Sequence, residues 1–355
     1  MNLDDLRKRI DELDEQLIQL LNERTRMALE IGRLKQERAQ EVYVPSREKA
    51  VLDRAIRLNE GPLKDESVRA IYREIMSACL SLEYRLKIAY LGPSATFTHQ
   101  AARARFGGSV EYVACETIGE VFNAVQKQTA DYGVVPIENS TEGAVTHTLD
   151  EFAGTTLKIC SEIYLPIAHH VLAKGTRGDI RRLYSNPQVF GQCRRWLYQH
   201  MPEAELIPVS STARAAEMAA GEEGSGALAG ELAAELYGLT VLERDIQDIG
   251  GNTTRFLVIG KSYGEPTGND KTSLLFGVKH RAGALCRTLE VLKKHGLNMT
   301  KIESRPSKTK AWEYYFFVDI EGHVAEPRVK TALDELGEHC SVLTVLGAYP
   351  RAAEQ

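Results

Sequence analysis

From Asn2 to about residue 40, large apolar side chains recur at Leu3, Leu6, Ile10, Leu13, Leu17, Leu20, Met27, Ile31 and Leu34, with Arg24 on the same line. This 3-4-3-4 spacing predicts one long helix running toward Pro45, carrying an apolar seam that something must cover. Arg24 stands where the repeat calls for Leu or Ile, and an unpaired charge buried there costs several kcal/mol. Something anionic should therefore meet it, the plain alternative being a glutamate on a neighbouring helix. Arg7 and Lys35 share an adjacent stripe but lie roughly 40 Å apart on a helix, too far to touch one small ligand. If two copies pack antiparallel about a centre near Leu21, Arg7 of one chain lands beside Lys35 of the other. Otherwise both are solvated charges flanking a coiled coil.

Two further helices are expected, one after Pro45 with Ser46 as its N-cap and one near Asp65 after the Gly61-Pro62 turn. From Leu86 the pattern becomes short apolar runs (KIAYLG, VEYVA, YGVVPIEN, TRFLVIG) alternating with Ala-rich helical stretches, which is the pattern of an α/β domain. Several runs end in Thr96, in Asn139-Ser140-Thr141, in Ser185-Asn186 or in Ser210-Ser211-Thr212. Loops of this kind at strand ends and helix N-termini favour anions, so a dicarboxylate ligand fits. After the polar stretch 264–271, the remaining elements run strand, helix, strand, strand, helix, strand, the order of a ferredoxin-like module. A chain of 355 residues suits this division into two or three domains.

Other classes are disfavoured. A formal charge of -5 with scattered Lys and Arg argues against nucleic-acid binding. The six cysteines include no C-x-x-C pair, so reduced thiols are expected and neither zinc nor a disulfide framework is indicated. His169 and His170 are adjacent and point to opposite faces of a strand, so they cannot chelate one metal ion. The charged N-terminus and the lack of any long apolar stretch make a cytoplasmic location the expectation, with no membrane partner.

Arg7, Arg24, Lys35 and Arg47-Glu48, with Cys79 and Glu83 one turn apart, resemble the all-helical chorismate mutase domain. The segments YLGPSATFTHQAA, DYGVVPIENSTEGAVTHTLD, SNPQVFGQC and NTTRF resemble prephenate dehydratase, and GALCRTL and IESRP are similar to a phenylalanine-sensing ACT domain. The order is that of the bifunctional chorismate mutase/prephenate dehydratase family and spans essentially the whole chain. The resemblance implies three parts: an all-α mutase domain of three helices in an intertwined dimer (1–85), a two-lobed, periplasmic-binding-protein-like α/β dehydratase domain (86–263), and a ferredoxin-like α+β ACT domain (271–355).

The same resemblance implies that chorismate rearranges to prephenate without a cofactor. Arg7 of a partner chain, Arg24 and Arg47 would clamp the two carboxylates, Lys35 and Glu83 would face the ether oxygen, and Glu48 would hold the hydroxyl. Cys79 stands where a serine often contacts substrate, and Val44 replaces a polar residue. Where many members carry an amide this chain has Glu83, and a carboxyl donates only when protonated. In the dehydratase, Thr254 would assist the departing hydroxyl of prephenate. Asn139, Ser185 and Gln192 would orient the substrate beside Thr96 and Ser140, and Arg255 could steady a carboxylate. The family's G-T-F is here Ala95-Thr96-Phe97, which restricts the backbone. Phenylalanine, as allosteric inhibitor, would bind between two ACT modules near Gly283, Ala284, Leu285, Asn298, Glu303, Ser304 and Arg305, which requires a homodimer or higher oligomer. The competing readings are a monofunctional dehydratase whose helical arm only dimerises and a non-catalytic amino-acid sensor.

Overall fold

The computed structural model describes residues 2–37, 44–279, 281–307 and 314–352. The chain divides into two compact units, residues 1–87 with 105–111, and residues 88–104 with 112–355.

The first unit is helical: α1 (Leu3–Glu37), α2 (Pro45–Arg57) and α3 (Asp65–Glu83). Asp4 and Asp5 in the first turn of α1 and Lys35 in its last complement the helix dipole. Most of the seam is not covered among the described residues. Leu3, Ile10, Leu17, Leu20, Met27 and Ile31 each remain more than half exposed. They form a row of large apolar side chains exposed along a 35-residue helix. One local expectation is corrected: α2 starts at Pro45, so Val44 is its N-cap and bonds through no side chain, and Ser46 falls inside the first turn. Proline is suited to that first position because its missing N–H would have been unsatisfied there.

The second unit is built on two sheets. In the larger, β1 (Lys87–Leu91), β2 (Glu111–Cys115), β3 (Tyr132–Asn139), β5 (Lys158–Pro166) and β11 (Thr253–Gly260) are joined by α4 (Phe97–Phe106), α5 (Ile118–Gln126), β4 (Gly143–Ala144) and α6 (Thr146–Phe152). The smaller has the order β10-β6-β9-β7-β8: β6 (His170–Ala173), β7 (Arg182–Ser185), β8 (Glu205–Pro208), β9 (Ser225–Ala229) and β10 (Thr240–Glu243), with α7 (Pro187–Gln192), α8 (Arg194–His200), α9 (Thr212–Gly221) and α10 (Glu231–Tyr237). The two sheets are the two lobes. β11 lies between β3 and β5, which aligns Thr254 with Asn139 across the ladder. Each lobe has its own core, one around Val121, Phe122 and Leu257, the other around the alanines of α9 and β9.

The C-terminal elements are β12 (Asp270–Val278), α11 (Ala284–Lys294), β13 (Met299–Pro306), β14 (Tyr314–Glu321), α12 (Pro327–His339) and β15 (Cys340–Pro350). Their order β13-β14-β12-β15, with α11 and α12 packed over Leu274, Phe276 and Val318, is the ferredoxin-like arrangement. β15 continues the larger sheet by pairing with β5 at Gly347, where an added Cβ would lie 2.2 Å from the carbonyl oxygen of Ile159. Only glycine admits so close a backbone approach.

Candidate functional site

The helical unit holds a cavity of about 210 Å³ between α1, α2 and α3. Arg24, Lys35, Val44, Arg47, Glu48, Cys79 and Glu83 all line it, so the sequence-predicted residues of one chain converge. Arg24 donates to Cys79 Sγ at 3.1 Å, and no carboxylate lies within ion-pair distance of it among the described residues. Arg24 thus faces a cavity that also holds Lys35, Arg47, Arg73, Glu48 and Glu83, with the Cys79 thiol as its hydrogen-bond partner and the Glu83 carboxyl near enough to feel its charge. Glu48 pairs with Arg105 at 3.1 Å. Burial raises the Glu83 carboxyl above its ordinary range, against the opposing pull of Lys35 and Arg24. Room for that side chain comes from Gly32, where a Cβ would stand 3.0 Å from Glu83 Cγ. Arg7 is elsewhere, exposed on the first turns of α1 and 3.7 Å from Asp4. Arg73 also lines the cavity, a residue that the sequence reading passed over. Its signal was the 3-4-3 spacing Arg73, Met76, Leu80, Glu83, one face of α3.

The second cavity, about 430 Å³, opens between the two sheets of the larger unit. Thr96, Asn139, Gln192 and Thr254 line it, joined by Phe97, His169, Ser211 and Asn252. Thr254 is 9% exposed, and its Oγ1 accepts a 2.8 Å bond from Asn139 Nδ2. Asn139 cannot turn its amide over. Its Oδ1 accepts from Thr141 N, Thr141 Oγ1 and Glu142 N, while Nδ2 also donates to Asn252 Oδ1 at 2.7 Å. Thr96 additionally caps α4, accepting from His99 N and donating to the Leu91 carbonyl.

Three expected ligands of this cleft stand elsewhere. Arg255 follows Thr254 on β11, so the pleat turns it to the opposite face. There, 3% exposed, it meets Glu138, Glu162 and Asp319 at 2.9, 2.8 and 2.6 Å, and donates to the Tyr349 hydroxyl at 3.0 Å. Lys271 completes this buried cluster through Glu162, and Lys301 pairs with Glu138. With three carboxylates already on it and its side chain outside the cleft lining, Arg255 has its counter-charges within the chain. Ser185 is fully buried and donates to the Leu228 carbonyl, and Ser140 ties the loop to Gly251 and Thr253.

In the C-terminal module a cavity of about 360 Å³ is lined by Gly283, Ala284 and Leu285 with Val278, Tyr314 and Phe316. Gly283 has φ +73, a left-handed turn into α11 that suits glycine. Asn298, Glu303 and Ser304 do not line this cavity. Arg305 is engaged elsewhere within the chain: it forms a two-pronged bond with Asp150 of α6, Nε to Oδ1 at 3.1 Å and Nη2 to Oδ2 at 2.9 Å. Among the described residues, no cluster of three His, Cys, Asp or Glu is placed to hold a metal, and no helix is long and apolar enough to cross a membrane.

A cationic helical pocket, a two-lobed α/β cleft floored by hydroxyl and amide groups, and a ferredoxin-like sensor module together define a regulated multidomain enzyme acting on small anions. Family models match in the same order: "Chorismate mutase type II" at residues 6–84, "Prephenate dehydratase" at 88–263 and "ACT domain" at 272–338. A bifunctional chorismate mutase/prephenate dehydratase of Aquifex aeolicus is 51% identical over 99% of each chain, and one of Pseudomonas aeruginosa is 46% identical over 98% of this chain and 97% of the relative. A prephenate dehydratase from Arthrobacter aurescens, solved in complex with L-Phe, superposes with a TM-score of 0.69 at 34% identity, covering 75% of this chain and 90% of that one. The chain belongs to the bifunctional chorismate mutase/prephenate dehydratase family. It is accordingly an isomerase and a lyase of aromatic amino acid biosynthesis, carrying an ACT domain for phenylalanine control.

Proposed function

We propose that chorismate occupies the helical pocket and prephenate the cleft of the larger unit, and that phenylalanine binds at the ACT cavity of a homodimer or larger assembly in the cytoplasm. Domain limits of 1–85, 86–263 and 271–355 are proposed with it. In the mutase, Arg24 and Arg47, with Arg73 now beside them, hold the two carboxylates of the reactive diaxial conformer. Lys35 and protonated Glu83 donate to the ether oxygen, where negative charge grows as the C–O bond breaks, so they favour the transition state over the ground state. The exposed face of α1 packs against a second copy, bringing Arg7 from the partner.

In the dehydratase, the carboxylate of prephenate leaves as carbon dioxide while its bonding pair enters the ring and the ring hydroxyl departs. Thr254 donates a hydrogen bond to that oxygen as charge collects on it. The observation that carries this assignment is the Asn139–Thr254 bond at 2.8 Å: by filling an acceptor position on Oγ1, it leaves the hydroxyl proton to point into the cleft. Thr254→Ala is expected to lower dehydratase turnover by about 10² to 10³, the usual cost of losing one such donor. Mutase turnover and prephenate binding should persist. A Thr254→Ala enzyme with normal dehydratase turnover would remove Thr254 from the mechanism.

A further inference from the structure

His169 precedes β6 and is held at both backbone groups, its N–H donating to Gln247 Oε1 at 3.1 Å and its carbonyl accepting from Ile246 N at 2.9 Å. The ring is buried, 2% exposed, and packs edge-on against Phe97 with centroids 5.5 Å apart. Nε2 lies 2.9 Å from Gln192 Oε1, and Nδ1 has no hydrogen-bond partner among the described residues. An amide oxygen only accepts, so the ring proton sits on Nε2 and Nδ1 carries a bare lone pair. Burial also lowers the imidazole pKa, which keeps the ring neutral.

This contact decides which end of the Gln192 amide faces the cleft. With its oxygen turned to His169, its NH₂ group is the end left to serve the cavity that both residues line together with Thr254. Prephenate offers two carboxylates, a keto oxygen and a hydroxyl whose oxygen must take up charge. Every one of these calls for a donor, and an amide turned the other way would set a carbonyl dipole against them.

We propose that His169 is a positioning residue of the dehydratase, whose Nε2–H locks the Gln192 amide so that its N–H donors face prephenate. The inference rests on the reading that Gln192 meets substrate. It also gives a use to a buried imidazole that the dehydration chemistry otherwise leaves idle.

The test compares dehydratase kcat/KM in the full chain for Gln192→Ala, His169→Leu, His169→Gln, His169→Asn and the His169→Leu/Gln192→Ala pair. Gln192→Ala should lose on the order of 10² for a missing donor. His169→Leu should lose about tenfold or more through misorientation. The double variant should be no slower than Gln192→Ala alone, since there is then no amide left to orient. His169→Gln, whose side-chain amide reaches as far as Nε2, should recover most of the loss, whereas the shorter His169→Asn should not. Mutase turnover should stay at the parent value throughout. Independent, multiplying losses in the double variant would overturn the inference, because a merely structural histidine gives that result. If His169→Leu does not fold, the Gln and Asn replacements decide alone, and equal rates for the two would overturn it. An unimpaired Gln192→Ala would instead sink the assignment of Gln192 to substrate, and this inference with it. An impaired Gln192→Ala beside a fully active His169→Leu removes only the role of His169.

Discussion

Two arginines, one in each unit, show what a charge withdrawn from water is for. Arg255 is 3% exposed and surrounded by Glu138, Glu162 and Asp319, with Tyr349 and Lys271 closing the cluster. Arg24 is half-buried on an apolar seam with the Cys79 thiol as its hydrogen-bond partner. The first has its counter-charges built in, and those charges join β3, β5 and β11 to β12 and β14. The second lines a cavity with no carboxylate in ion-pair contact among the described residues, Glu83 acting on it only at longer range, and on the proposed function its close counter-charge is the substrate. Burial alone therefore does not mark a binding arginine. What separates the two is whether the chain has already supplied the carboxylates.

The largest expected effect comes from breaking the saturated cluster. Arg255→Met leaves Glu162 and Asp319 buried without their main cation, which should cost about 3 to 5 kcal/mol of stability in denaturant unfolding. A loss under about 1 kcal/mol would mean the cluster is not the structural joint described. The pH dependence has a definite sign. Burial pushes Asp319 and Glu138 up, but Arg255, with Ser273 and Lys271 at the first and Lys301 at the second, outweighs it, and both carboxyls lie below their ordinary range. Their contribution is fully present above the unfolded values and is lost as pH falls through the lower folded ones. In Arg255→Met that acid loss should begin at higher pH.

Arg24→Ala is the converse experiment. It should lower mutase turnover by about 10² to 10³, or roughly 3 to 4 kcal/mol of transition-state stabilisation, while changing folding stability by less than about 1 kcal/mol. Dehydratase turnover should not move. Should the protein instead lose several kcal/mol of stability, Arg24 is structural after all and the contrast with Arg255 disappears.

The same contrast explains what the sequence could and could not reveal. Arg24 was legible because a 3-4-3-4 repeat makes a charge on its seam conspicuous, and the repeat is local. The βαββαβ order and the loops around Thr96, Asn139 and Ser211 were legible for the same reason. Arg255 misled because it adjoins Thr254, and adjacent strand residues serve opposite faces. Which face becomes the cleft depends on Asp319, 64 residues away, and on Glu162, 93 residues away. The contact of Arg305 was illegible likewise, its partner Asp150 lying 155 positions distant. Ser185 looks like a cleft hydroxyl by composition, but register within the smaller sheet buries it. Charges on one helix can be read from spacing, whereas charges on neighbouring strands need the tertiary fold.

A finer test concerns the form of Glu83. Burial raises its carboxyl pKa against the pull of Lys35 and Arg24, so the protonated, donating form persists above the ordinary carboxylate range. Mutase kcat should be level at pH values below the folded pKa of Glu83 and fall as pH rises through it, because only the acid form donates to the ether oxygen. Glu83→Gln donates at every pH and should give a flatter profile. Matching slopes in the two proteins would assign the pH dependence to another group, and the helical pocket would then work through its cations alone.

The smallest expected effect tests how the cleft, unlike the helical pocket, carries local backbone strain. Ala95 has φ +68 yet is not glycine, and its N–H is held by Nδ1 of His99 at 3.1 Å. Burial first, then Arg103, pushes the His99 pKa down to about 4, so the ring remains a neutral acceptor across the working range. Replacing Ala95 with glycine relieves about 1 to 2 kcal/mol of left-handed strain. It also adds about 0.5 to 1 kcal/mol of backbone entropy cost and removes a buried methyl worth about 0.8 kcal/mol. The gain and the two losses nearly cancel, so Ala95→Gly should shift stability by less than about 1 kcal/mol while leaving dehydratase turnover near the parent value. A loss beyond about 2 kcal/mol would show that packing of this methyl among the alanines of α9 and α10 outweighs the strain. A gain of that size would show that strain outweighs both packing and entropy at Ala95, in the loop that presents Thr96 and Phe97 to the cleft.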